Sequence, residues 1–175
     1  TISTIQLLSA LGDPLYSLTQ DGLLEPRLAS GPPVVSSDGL TVSIPLRDDV
    51  LFHDGTRFDA EAMAFSLRRF LKIGTLNYVV GGRIASIDAA APDQLQISLT
   101  RPSTSLNGLL TAINLTPISP EAYREHTDRF LHDTFIGTGP YKLVRFREDQ
   151  QRLVPFEDYW GEPPENQGLD LITLS

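Results

Sequence analysis

Apolar residues Leu40, Val42, Ile44 and Leu46 alternate with Thr41, Ser43 and Pro45. A period of two predicts a strand with one face buried. Pro45 has no amide hydrogen, which predicts an edge strand or one whose N–H side is free. The Ser37-Asp38-Gly39 turn precedes it, with Gly39 supplying a positive φ. Leu95, Ile97 and Leu99 repeat the alternation, and Ala91-Pro92-Asp93-Gln94 joins this strand to the run Ile84 to Ala91 as a hairpin. The period changes at Ala60, Met63, Ala64, Leu67, Phe70 and Leu71, which form one apolar stripe of a helix over 60–72. Asp59 is its N-cap, Glu61 lies near the positive end of its dipole and Gly74 is a C′ residue. Phe65 falls off the stripe.

Elsewhere the pattern is weaker. Residues 2–18 carry roughly helical spacing (Ile2, Ile5, Leu8, Leu11, Leu15) broken at Gly12 and Pro14, which predicts a short helix and a turn. Asp21-Gly22 and Pro26 mark a loop, and Gly31-Pro32-Pro33 is a firm breaker. Val50-Leu51-Phe52 is a short apolar run stopped by His53-Asp54-Gly55. A short helix is expected over 104–112, and another after Ser119, with Pro120 at its first position. Two strands flank the polar Arg147 to Gln151 turn, and Leu169 to Leu174 is again strand-like. Helices and strands come in mixed order without repeats, so the fold class is α+β, with mixed sheets and short helices.

A chain of 175 residues buries about 70% of the surface its unfolded form exposes, enough for a core without crosslinks. Its net charge of −8 disfavours nucleic acid as a partner. The absence of cysteine excludes disulfides, thiolate metal sites and cysteine nucleophiles. No stretch approaches the ~20 apolar residues of a membrane span. Thr1-Ile2-Ser3-Thr4 lacks a signal-peptide pattern, so the chain is either cytoplasmic or begins inside a longer precursor, and the missing initiator methionine favours the second.

Candidate chemistry is sparse. His53 and Asp54 are adjacent, and neighbours on a strand point to opposite sides, so Asp54-Gly55 reads as a bend rather than a catalytic pair. His126, Asp128, His132 and Asp133 form a polar stretch, but histidines six apart do not share a helix face, and no metal is expected. Gly137-Thr138-Gly139-Pro140 leads into the strand pattern Tyr141-Lys142-Leu143-Val144, not into the lysine and helix of a phosphate loop, so Gly137 and Gly139 read as a backbone bend. No serine sits between spaced glycines as in a hydrolase elbow. Trp160, the sole tryptophan, reads as a core or subdomain anchor rather than a ring stacked on a ligand.

Taken in order, these stretches resemble one family. Leu15-Tyr16 and Glu25-Pro26-Arg27-Leu28-Ala29 come first, then Ser37-Asp38-Gly39-Leu40-Thr41 with Leu46-Arg47, and Val50-Leu51-Phe52-His53-Asp54-Gly55. Phe58-Asp59-Ala60-Glu61-Ala62, Ser66-Leu67-Arg68-Arg69, Gly137-Thr138-Gly139-Pro140-Tyr141 and Asp158-Tyr159-Trp160-Gly161 follow. The series is similar to the peptide/nickel-type (family 5) extracytoplasmic solute-binding proteins of ABC importers. Two departures stand out: Pro45 where an aromatic is usual, and Pro155-Phe156-Glu157 in place of a polar run.

What the resemblance implies is part of a two-lobed periplasmic binding protein. Residues 1–30 would begin lobe I, 31–130 would be the family-specific subdomain, and 131–175 would return to lobe I, with the second lobe beyond Ser175. The implied function is non-enzymatic: capture of a peptide or other small solute for an ABC permease. The place is periplasmic or extracytoplasmic, with membrane contact only through that permease or a lipid anchor outside the chain. Implied ligand contacts are Tyr16, Asn114, Leu115 and Thr116, with Asp54, Gly55, Gly137, Gly139 and Trp160 as scaffold. Nickel-type members place a basic residue in the segment that here spans 113–118, which holds none, so a chelated metal is expected less than a peptide or another small solute. No cofactor is expected. The rival readings are a metal-dependent or other hydrolase using His53, His126 or His132, and a sensor or interaction module descended from a binding protein.

Overall fold

A computed structural model of the chain describes residues 2–74, 81–103, 108, 110–126 and 133–172. Helix α1 (Ile2–Leu11) leads into a hairpin of β1 (Tyr16–Leu18) and β2 (Leu24–Pro26), closed through Gly22 at φ +77°. The alternation of so short a pair is too brief to read, and this hairpin was not expected from the sequence. The helix expected over 104–112 falls largely on residues outside those described.

The central sheet has strands β3 (Val34–Val35), β4 (Thr41–Pro45), β5 (Ile84–Ala91) and β6 (Gln94–Leu99) in the antiparallel order β3-β4-β6-β5. Val42 pairs with Ile97 and Ile44 with Leu95, which sets four fully buried side chains on one face. Helix α2 (Ala60–Ile73) lies against β5 and β6 and turns Met63, Ala64 and Leu67 into the same core. The Asp59 carboxylate accepts the Ala62 N–H at 2.8 Å, the cap the sequence predicts.

Three details refine the expectation. Strand β4 is interior, but β3 is too short to reach Pro45, whose carbonyl takes the Ser30 N–H at 2.9 Å. Gly74 does cap α2, yet at φ −66°; glycine is needed there because a Cβ would meet the Phe70 carbonyl oxygen at 2.5 Å. Ser66 is buried although it lies off the apolar stripe. Its hydroxyl donates to the Ala62 carbonyl and accepts the Ile118 N–H, tying a second face of α2 to the segment before α3 (Pro120–Tyr123).

A second antiparallel sheet joins β7 (Tyr141–Phe146), β8 (Gln150–Pro155) and β9 (Leu169–Ile172). Among the described residues no helix is long and apolar enough to cross a membrane.

Candidate functional site: a depression at the end of the first helix

Where α1 ends, three distant segments converge. The Gly139 N–H donates to the Leu11 carbonyl at 3.1 Å, and the Thr116 hydroxyl donates to the Asp13 carbonyl at 2.8 Å. Thr138 is fully buried, and its hydroxyl oxygen accepts the Asp13 N–H at 3.4 Å. The approach is so close that side chains are excluded. A Cβ on Gly139 would meet the Gly12 amide nitrogen and, at 2.5 Å, the Leu11 carbonyl carbon; one on Gly137 would meet the Leu11 carbonyl oxygen. Neither glycine has a positive φ. The Gly137-Thr138-Gly139 bend therefore exists for contact with α1, not for an unusual backbone.

His53 holds the same bend from the other side. Its Nε2 donates to the Gly139 carbonyl at 3.0 Å, and its Nδ1 accepts the Gly137 N–H at 3.3 Å. Those partners require the neutral tautomer protonated on Nε2. Burial pushes the imidazole pKa below its ordinary value, in keeping with that state. Asp54 faces elsewhere: its carboxylate accepts from Thr56 (2.6 Å) and Ser119 (2.5 Å), while Gly55 turns the loop at φ +83°. Burial alone would raise the Asp54 pKa, but these hydrogen bonds outweigh it and hold it below the usual carboxylate range. Both ring nitrogens of His53 are thus spent on backbone.

Asp13 sits under this junction with its side chain 5% exposed. It accepts from Arg27 Nη2 at 3.1 Å, from the Tyr159 hydroxyl at 3.2 Å and from Trp160 Nε1 at 3.1 Å. Even so, burial prevails over these partners and lifts the Asp13 pKa above its ordinary value. The guanidinium carbons of Arg27 and Arg47 lie 5.1 and 4.5 Å from the Trp160 ring centre. Trp160 packs partly buried against the core as the partner of two cations and a carboxylate.

Beside Asp13 lies an open depression of about 400 Å³, lined from Ser9, Gly12 to Leu18 without Leu15, Arg27, Thr111 and Ile113. Tyr16 contributes to this lining, although its side chain is fully buried and its hydroxyl donates to the Gly31 carbonyl at 2.8 Å. Burial raises its phenol pKa. Asn114 is exposed on the 3₁₀ turn Ile113–Leu115, next to the lining residue Ile113. Leu115 and Thr116 are buried, Thr116 with its hydroxyl committed to Asp13. The sequence reading did not single out Asp13 or Arg27: their partners are 14 to 147 residues away. A second depression, of about 440 Å³, collects Asp48, Asp49 and Asp93 around Arg47 and Ser30. Of the polar stretch weighed for metal, Asp128 and His132 lie outside the described residues; among those described, no three His, Cys, Asp or Glu side chains are grouped to hold a metal ion.

Residues 24–174 match the family described as bacterial extracellular solute-binding proteins, family 5 Middle. The glutathione-binding protein GsiB of Salmonella paratyphi A is 33% identical over 152 residues, covering 85% of this chain and 29% of the relative. The chain thus spans less than a third of that protein's length. NikZ of Campylobacter jejuni, solved in complex with Ni(L-His), superposes with a TM-score of 0.84 at 26% identity, over 95% of this chain and 34% of NikZ. A dipeptide-binding protein of Pseudoalteromonas sp. SM9913, solved with Met-Leu, shares the fold with a TM-score of 0.88 at 22% identity, over 99% of this chain and 39% of that one. The chain belongs to the bacterial extracellular solute-binding proteins of family 5.

Proposed function

We propose that this chain forms one wall of the ligand cleft in the solute-binding component of an ABC importer, which captures a peptide or other small solute outside the cytoplasm and delivers it to a permease. Membership of family 5, matched along residues 24–174, carries the reading. The open depression at the end of α1 supports it: a concave surface with a few polar groups held rigidly from below suits reversible capture. The role is binding, not catalysis. His53, the most obvious general base, spends both nitrogens on the backbone, and the Asp54 carboxylate is occupied by Ser119 and Thr56. In this reading residues 1–30 and 131–175 belong to the first lobe and 31–130 to a subdomain on its flank. Asn114, exposed beside the depression, stands nearest the solute, while the buried Tyr16, Leu115 and Thr116 support the wall from behind.

Calorimetric titration of the natural full-length protein tests the proposal. The panel is L-Met-L-Leu, trialanine, glutathione and Ni(L-His). Micromolar binding of a panel member, recovered unchanged afterwards, is the expected result. Absence of binding to every member, or turnover of one, would overturn it.

A further inference from the structure

We propose that the depression recognises a solute bearing a carboxylate, and that Arg27 is the residue that pairs with it; the inference rests on the solute-binding reading above. Two residues of the lining carry charge, Asp13 and Arg27. The Asp13 side chain is 5% exposed and already accepts three hydrogen bonds, whereas that of Arg27 is 40% exposed. The charge a solute can reach is therefore positive, in a chain whose net charge is −8.

Arg27 is also held ready. Its side-chain hydrogen bonds among the described residues all run through Nη2, to Asp13 at 3.1 Å and to Tyr159 at 3.4 Å. Nε and Nη1 carry three further N–H groups with no protein partner there. The Trp160 ring centre lies 5.1 Å from the guanidinium carbon, a cation–π contact that adds to the hold on the group. A guanidinium anchored along one edge loses little freedom when the remaining donors engage an anion. The Glu25 carboxylate, outside the lining, accepts from the Ser17 hydroxyl at 3.2 Å. The site thus offers charge-assisted donors and, in Ser17, Thr111 and the apolar Leu18 and Ile113, room for an uncharged remainder.

The test compares each acid with its amide in the natural full-length protein: L-Met-L-Leu, trialanine and glutathione against their C-terminal amides (for glutathione, the glycine amide). The acid form should bind about tenfold or more tightly than the amide, as expected for a lost charge-assisted contact. Arg27→Gln should bring the two to near-equal affinity, and Arg27→Lys should restore part of the preference. If Arg27→Gln does not fold, the wild-type comparison and Arg27→Lys decide. Equal affinity of acid and amide in the wild type, or a preference that survives Arg27→Gln, would overturn the carboxylate assignment and leave the solute-binding reading intact. Failure of every acid and every amide to bind would overturn the carboxylate assignment, and failure of Ni(L-His) as well would overturn the solute-binding reading with it.

Discussion

The Ser119 hydroxyl donates to the Asp54 carboxylate at 2.5 Å while accepting the Ala122 N–H at 3.3 Å. One side chain thereby caps α3 and ties it to a loop 65 residues earlier. Ser119→Ala should cost about 1–2 kcal/mol of stability, the usual cost of losing a cap. A second consequence concerns acid. The folded-state pKa of Asp54 lies below its ordinary 3.8, so its contribution to stability is present above that value and is lost as pH falls through the folded pKa. Ser119→Ala should therefore flatten the acid limb of a denaturation-midpoint series run from pH 5 to pH 2. An unchanged limb would mean that Thr56 alone holds the carboxylate down.

His53 sets a dependence at milder pH. Its folded-state pKa is below the ordinary 6.5, because burial disfavours the imidazolium and the Gly137 N–H needs a lone pair on Nδ1. Between the folded and unfolded values the unfolded chain binds more protons, so stability rises with pH across that window. The stabilisation is complete above about pH 6.5 and declines as pH falls below it. The stability difference between wild type and His53→Gln should be widest above pH 6.5 and shrink toward pH 5. NMR titration of the His53 ring should place its midpoint below 6.5.

Gly139 and Gly55 should respond differently to alanine. At Gly139 the new Cβ would press on the backbone of Leu11 and Gly12, neither of which can swing aside. A loss of about 1–3 kcal/mol is expected, and local displacement of α1 with it. At Gly55 nothing lies within 4 Å, and the cost is that of the left-handed backbone at φ +83°, about 1–2 kcal/mol. Hydrogen exchange at the end of α1 should accelerate in the first variant and not in the second.

Asp13→Ala would leave Arg27, Tyr159 and Trp160 without their shared acceptor. Removing one member of so buried a group costs about 2–3 kcal/mol, toward the low end for buried ions because Arg27 retains access to water. Urea titration checks the loss. Emission from Trp160 should move to the red as its surroundings open.

The central sheet and its helix could be read from the chain because their signals are local. Leu40 to Leu46, Leu95 to Leu99, the Asp59 cap and the Ser119-Pro120 start depend on neighbours no more than a few residues away. The β1–β2 hairpin escaped because three residues per strand do not establish a period. Gly139 was read only as part of a backbone bend. The structure gives it no positive φ but a neighbour 128 residues earlier in Leu11, which no local pattern records. Arg27 illustrates the same limit. Its surroundings are assembled from Asp13, Tyr159 and Trp160, so its readiness for an anion emerges only after folding.

The Asp13 cluster also governs the order in which the chain can settle. The carboxylate meets Trp160 across 147 residues and Tyr159 across 146. During synthesis the first helix therefore emerges long before the groups that make burial of Asp13 tolerable. Until Trp160 arrives, docking α1 would desolvate a charge with too few donors, so that step is held back by electrostatics as well as by the entropy of closing so long a loop. The sheet built from β3 to β6 needs no such wait and can form first. Refolding should show α2 protected from hydrogen exchange before the end of α1, with Trp160 fluorescence reporting the later event.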